Sequence, residues 1–249
     1  MKRLLASLLA TALIALPGAC ALAAEPRLGK MVAYELGEYT IYTTRSSDQA
    51  RRFATELGKF RLTLEKLLGK RATRSHIPTH LVILSRGEWE KYLQPRQHVA
   101  GWFQPGMFAN FIVMNGDVEG TAVTHLVFHE YTHYYLSSQF AGEYPPWFNE
   151  GLAELMGYSK FDKGRAILMI PVHQRQEARD GDWIPFDRLI RVNHQSPEYQ
   201  SHKLADSFYA QAWLTVHYGM LEDRDFGQRI FTYLTKINTL VWHVEAGVR

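Results

Sequence analysis

FHEYTH occupies residues 128–133, and PWFNEGLAE follows at residues 146–154. The first segment is an HExxH pattern, with His129 and His133 four residues apart and Glu130 between them. On a helix, residues at i and i+4 project from one face, close enough for two imidazoles to reach one ion. Glu130 points slightly aside, where a carboxylate can take a proton from a water held by such an ion. HExxH by itself is suggestive only. The second segment carries more weight, because it opens a helix where proline is tolerated and sets Glu150 near its start. A catalytic zinc wants three protein ligands and an open position, and two histidines with one glutamate form an established set. Glu154, one turn further on, can bond the far nitrogen of a ligand histidine, fixing its tautomer and making it more basic.

HEYTH followed by PWFNEGLAE resembles the gluzincin metallopeptidases, the group of thermolysin and of aminopeptidases with an NEG-type third-ligand motif. It is similar in particular to small bacterial peptidase-MA-like proteins, in which HExxH is followed by P-x-W-x-x-E-G-x-A-E. The resemblance spans residues 120–158 and extends loosely over 39–236. It implies a zincin-like fold with one zinc ion on His129, His133 and Glu150. It also implies Glu130 as general base and acid, and Glu154 as a support behind a ligand histidine. A metzincin reading fails, since Leu136 stands where glycine is needed and Gln139 where a third histidine is needed.

A gluzincin also needs a donor for the developing oxyanion, usually Tyr or His from a downstream helix. DSFYAQAW (206–213) resembles the YAQ-type helix of the peptidase-MA-like proteins. Tyr209 shares a face with Ala212, Trp213 and Val216, so it either presents its hydroxyl to the site or packs as a core tyrosine. The strand at 111–114 precedes the metal helix, where gluzincins keep an edge strand able to pair with an extended peptide. An ordinary interior strand is the equal alternative.

Working outward, YTIYTT (39–44) is β-branched and aromatic, hence a strand. Ser46 or Ser47 caps a helix in which Ala50, Phe53, Leu57, Phe60, Leu64 and Leu67 recur at three- and four-residue spacing, closed by Gly69. HLVILS (80–85) suits a buried strand, 86–92 a turn of helix, and 111–114 a third strand ended by Asn115, Gly116 and Asp117. Between these lies the glycine- and aromatic-rich stretch GWFQPGMFANF. Helices are expected at 121–138, 146–158, 206–218 and 225–237, with a hairpin within 161–172. The expected class is α+β, with a small mixed sheet in the N-terminal half and a mainly helical C-terminal half carrying the metal helix.

The chain has 249 residues, 46% of them hydrophobic, enough for a substantial core. Lys2 and Arg3, an apolar run over 4–16 and the Ala21, Leu22, Ala23 ending read as a secretory signal peptide, cut after Ala23 or Ala24. The run is short for a membrane span, although a retained anchor is the alternative. Residues 24–249 then form a single gluzincin-like domain, exported to the periplasm or beyond, without stable membrane insertion. The cut removes Cys20, the one cysteine, and with Lys2 and Arg3 gone 26 basic residues face 25 acidic ones. No nucleic-acid-binding stripe emerges, since the basic cluster at 71–74 is too short.

Remaining candidates receive plainer readings. His125 shares the ligand face but is assigned to packing or to support behind the ligands, because one ion cannot span three turns. Tyr131, Tyr134 and Tyr135 are core or rim, His202 and His217 lone histidines, and Trp102 with Phe103 a packed loop or a cleft wall. The expected function is zinc-dependent cleavage of a peptide or protein substrate. The alternatives are hydrolysis of a non-peptide amide, or an exported zinc-binding or assembly protein without turnover.

Overall fold

The computed structural model describes residues 31–36, 39–44, 46–68, 77–93, 101–104, 106–115, 121–139 and 144–245. The expected signal segment, 1–23, lies outside them. The N-terminal half holds β1 (Val32–Leu36), β2 (Tyr39–Thr43), α1 (Ser47–Leu68), β3 (Thr79–Leu84), α2 (Arg86–Leu93), β4 (Gly101–Gln104) and β5 (Asn110–Asn115). They form a five-stranded sheet in the order β1-β2-β3-β5-β4. The inner pairs β2–β3 and β3–β5 are parallel, and the outer strands β1 and β4 are antiparallel to their neighbours.

The alternation of side chains along β3 explains its central place. All six of its residues are buried, as expected for a parallel strand covered on both faces. Leu81 and Ile83 join the main core, whereas Val82 and Leu84 pack with Trp89 of α2 on the other face. On the main-core side α1 buries Leu57, Phe60 and Leu64 completely. The Phe60 ring stacks flat on Phe128, centroids 4.0 Å apart. Truncating either ring removes about 3–5 kcal/mol, so this stack fixes the metal-motif helix against α1.

The C-terminal half is helical: α3 (Thr121–Gln139), α4 (Pro146–Gly157), α5 (Val172–Asp180), α6 (Phe186–Leu189), α7 (Pro197–Gln200), α8 (His202–His217), a π-helical turn (Tyr218–Glu222) and α9 (Arg224–Glu245). A hairpin of β6 (Ser159–Asp162) and β7 (Arg165–Leu168) interrupts it. No helix among the described residues is long and apolar enough to cross a membrane.

α4 is the central helix, with eleven of its twelve residues buried. A helix so enclosed cannot carry Glu150 and Glu154 without partners for both carboxylates. Gly151 sets its distance from α8: a Cβ there would lie 2.3 Å from the Ala212 carbonyl oxygen. The two backbones therefore touch, and that contact brings Tyr209 on α8 alongside the residue preceding Gly151, Glu150.

The α+β class is as expected from the sequence, and the positions of several elements differ. Residues 101–104, which read as part of a loop, form β4. The expected edge strand at 111–114 belongs to β5, an interior strand, and β4 is the outer one among the described residues. The hairpin begins earlier, at Ser159, and α8 and α9 run longer than the periodicity indicated. β1, α5, α6 and α7 had no counterpart in the sequence reading.

Candidate metal centre

HExxH lies mid-helix on α3, so His129 and His133 fall one turn apart, facing the buried start of α4. Their Nε2 atoms are 3.1 Å apart. Glu150 Oε2 lies 3.4 Å from His129 Nε2 and 3.5 Å from His133 Nε2. Tetrahedral zinc with bonds near 2.0–2.1 Å separates its ligand atoms by about 3.3–3.4 Å. The three atoms thus form one face of a tetrahedron of the right size.

The far nitrogen of each ring faces an oxygen, by a hydrogen bond for His133 and at ion-pair distance for His129. His133 Nδ1 lies 3.0 Å from Asn149 Oδ1, an acceptor, so Nδ1 directs its proton to Asn149 and Nε2 is the nitrogen turned to the triangle. His129 Nδ1 lies 3.2 Å from Glu154 Oε1, and Gln174 of α5 donates to Glu154 Oε2 at 2.9 Å. Glu154 thus stands where the sequence reading set it. Asn149 has no role in the motif reading, and its place directly before Glu150 is the signal that points to it. Gln174 lies on an unanticipated helix.

The electrostatics are those of tightly coupled opposite charges. Burial works against ionised Glu150, but His133 and His129 outweigh it and hold the carboxyl well below its usual range. Glu154 is depressed in the same way, against burial, by His125 and His129. Burial opposes a charged His129 too, yet Glu150 and Glu154 lift it to about 10. His133 is raised likewise, against burial, chiefly by Glu150. The imidazoles are the positive charges that hold both carboxylates ionised here.

A second group, His125, His129 and Glu154, could also hold a metal ion, its ligand atoms too lying within 4.8 Å of one another. It is looser, with His125 Nε2 3.8 Å from Glu154 Oε2, and it would use the ring nitrogen of His129 that already faces Glu154 Oε1. The His125 ring packs on Tyr158, centroids 4.0 Å apart, and a Cβ on Gly157 would meet it at 2.7 Å.

Glu130 stands outside both groups. Its Oε2 accepts the backbone N–H of Phe103 at 2.9 Å, and its pKa is raised, first by burial and against the pull of both ligand histidines. The Phe103 ring meets Tyr134 edge-on at 5.6 Å. The Trp102 and His202 side chains lie outside the described residues. His217 packs on Trp213, about 12 Å along α8 from Tyr209. Tyr131 and Tyr134 belong to the core with Tyr135, and the Tyr131 hydroxyl bonds that of Tyr39.

Tyr209 is half-buried on α8. Burial, then the Glu150 charge, raises its pKa, and its ring lies 6.4 Å from that of Tyr199. Tyr199 in turn donates to Glu150 Oε1 at 2.8 Å. The sequence reading missed Tyr199, which sits on a four-residue helix 49 positions from its partner. Comparison of the chain with protein-family models and with curated proteins gives no match.

Proposed function

We propose that this chain is a zinc-dependent hydrolase of gluzincin type that cleaves peptide bonds, with one zinc held by His129, His133 and Glu150. The observation that carries the reading is the three-atom triangle with Glu130 held beside it and outside it. A purely structural zinc closes its fourth position with another protein ligand. Among the described residues, no fourth His, Cys, Asp or Glu joins the triangle.

When bound, zinc supplies polarisation of the scissile carbonyl and a water acidic enough to ionise near neutrality. Phe103 N–H occupies Glu130 Oε2, leaving Oε1 to accept the proton of the attacking water and to deliver it to the leaving amine. Burial raises the proton affinity of Glu130 above that of a free carboxylate. Tyr209 is the donor for the oxyanion. The N-terminal 23 residues direct export, so a chain recovered from the periplasm or medium should begin at Ala24 or Glu25. An intact Met1 terminus in the cytosol would refute that part.

The test of catalysis is Glu130→Gln, assayed by zinc content and by digestion of a peptide library. The variant keeps its zinc and its fold, and turnover falls at least ~10²-fold, the low end for general acid–base catalysis. Unchanged turnover would remove the mechanism while leaving a zinc protein.

A further inference from the structure

Glu150 uses its two oxygens differently. Oε2 faces both histidine Nε2 atoms, at 3.4 and 3.5 Å. Oε1 accepts the Tyr199 hydroxyl at 2.8 Å. A carboxylate can bind an ion through one oxygen or through both, and for a hydrolytic zinc the choice matters. Two histidines and one oxygen leave a tetrahedral position free, whereas a second oxygen takes up that position or forces a fifth.

We infer that Tyr199 is a positioning residue that restricts Glu150 to ligation through Oε2 and so keeps one coordination position open. This rests on the zinc reading above. A hydroxyl proton committed to Oε1 draws that oxygen's lone pair away from the ion. The hydroxyl itself is well held. The Tyr199 ring meets Phe208 edge-on at 5.7 Å and His194 at 4.9 Å. Its neighbour Glu198 is tied to Arg188 by an ion pair, and the Tyr209 ring lies 6.4 Å from its own. A tyrosine there for packing alone would need none of the contact to Glu150.

Cobalt(II) in place of zinc reads the coordination number directly, because a four-coordinate ion absorbs visible light several-fold more strongly than a five- or six-coordinate one. The full chain and its Tyr199→Phe variant, which keeps the ring, are each loaded with cobalt. The wild type should take one ion with the intense four-coordinate band. In the variant Oε1 is released, so the band should weaken about twofold or more as a fifth ligand enters. Zinc affinity should fall about tenfold by competition titration. Metal-free thermal stability should fall in the variant through the lost bond to buried Glu150, so the cobalt band, which a packing role would leave alone, separates positioning from packing. An unchanged band with unchanged affinity in a folded variant overturns the inference while the zinc reading stands. Failure of the wild type to bind cobalt or zinc overturns both. If the variant does not fold, X-ray absorption on the wild-type zinc protein decides. One carboxylate oxygen in a four-ligand shell supports the inference, and two oxygens from that carboxylate overturn it.

Discussion

Two histidine–carboxylate sets meet at His129, one on each side of its imidazole ring. At the front, Nε2 joins His133 Nε2 and Glu150 Oε2 in a triangle with sides of 3.1–3.5 Å. At the back, Nδ1 faces Glu154, with His125 3.8 Å from the same carboxylate and Gln174 bonded to it. The residue types are the same and the consequences differ. In the front set three ligand atoms face one another, and Asn149 and Tyr199 hold the far atoms of His133 and Glu150. In the back set the carboxylate is already engaged as an acceptor and serves to orient a ligand. A metal site is therefore read from how closely the donor atoms approach and what else they bond, since residue type and rough proximity give two candidates.

The largest expected break in this comparison is Glu150→Gln. It removes the only anion of the front set, so zinc affinity should fall more than about 100-fold, beyond the loss typical of groups behind a ligand. Wild-type affinity in that variant would mean that the third ligand lies elsewhere. Next comes Tyr209→Phe, which keeps the ring and its packing. An oxyanion donor acts mainly in the transition state, so kcat should fall about 10²-fold with KM near normal. Near-normal kcat with a small stability change would return Tyr209 to the core reading. The smallest effect belongs to the back: Glu154→Gln keeps a hydrogen-bond acceptor for His129 and should lower zinc affinity by only about tenfold. A loss as large as that of Glu150→Gln would make the two sets equivalent and end the distinction between them.

Much of this centre was legible because it is local. HExxH and the Glu150–Glu154 pair are helical spacings, and a helix of known period turns spacing into geometry. The long periodic segments gave α1, α3 and α4 for the same reason. What escaped depends on contacts between elements. β4 is four residues opened by glycine and followed by Pro105, too short for alternation to register. Its role came only from pairing with β5 and from the Phe103 N–H turned toward Glu130. Residues 111–114 were readable as a strand, but whether a strand is inner or outer is a property of the sheet. Tyr199 is the sharpest case. Nothing within the four-residue α7 marks it, and only the approach of α8 to α4 at Gly151, with the chain folded back between, sets its hydroxyl on Glu150.

Zinc per chain, measured by elemental analysis on purified wild type, His125→Ala and His133→Ala at matched free zinc, tests the central claim most directly. The front-set account predicts one zinc in the wild type, one retained in His125→Ala, and next to none in His133→Ala. Zinc kept by His133→Ala and lost by His125→Ala would place the metal at the back of His129 and contradict it.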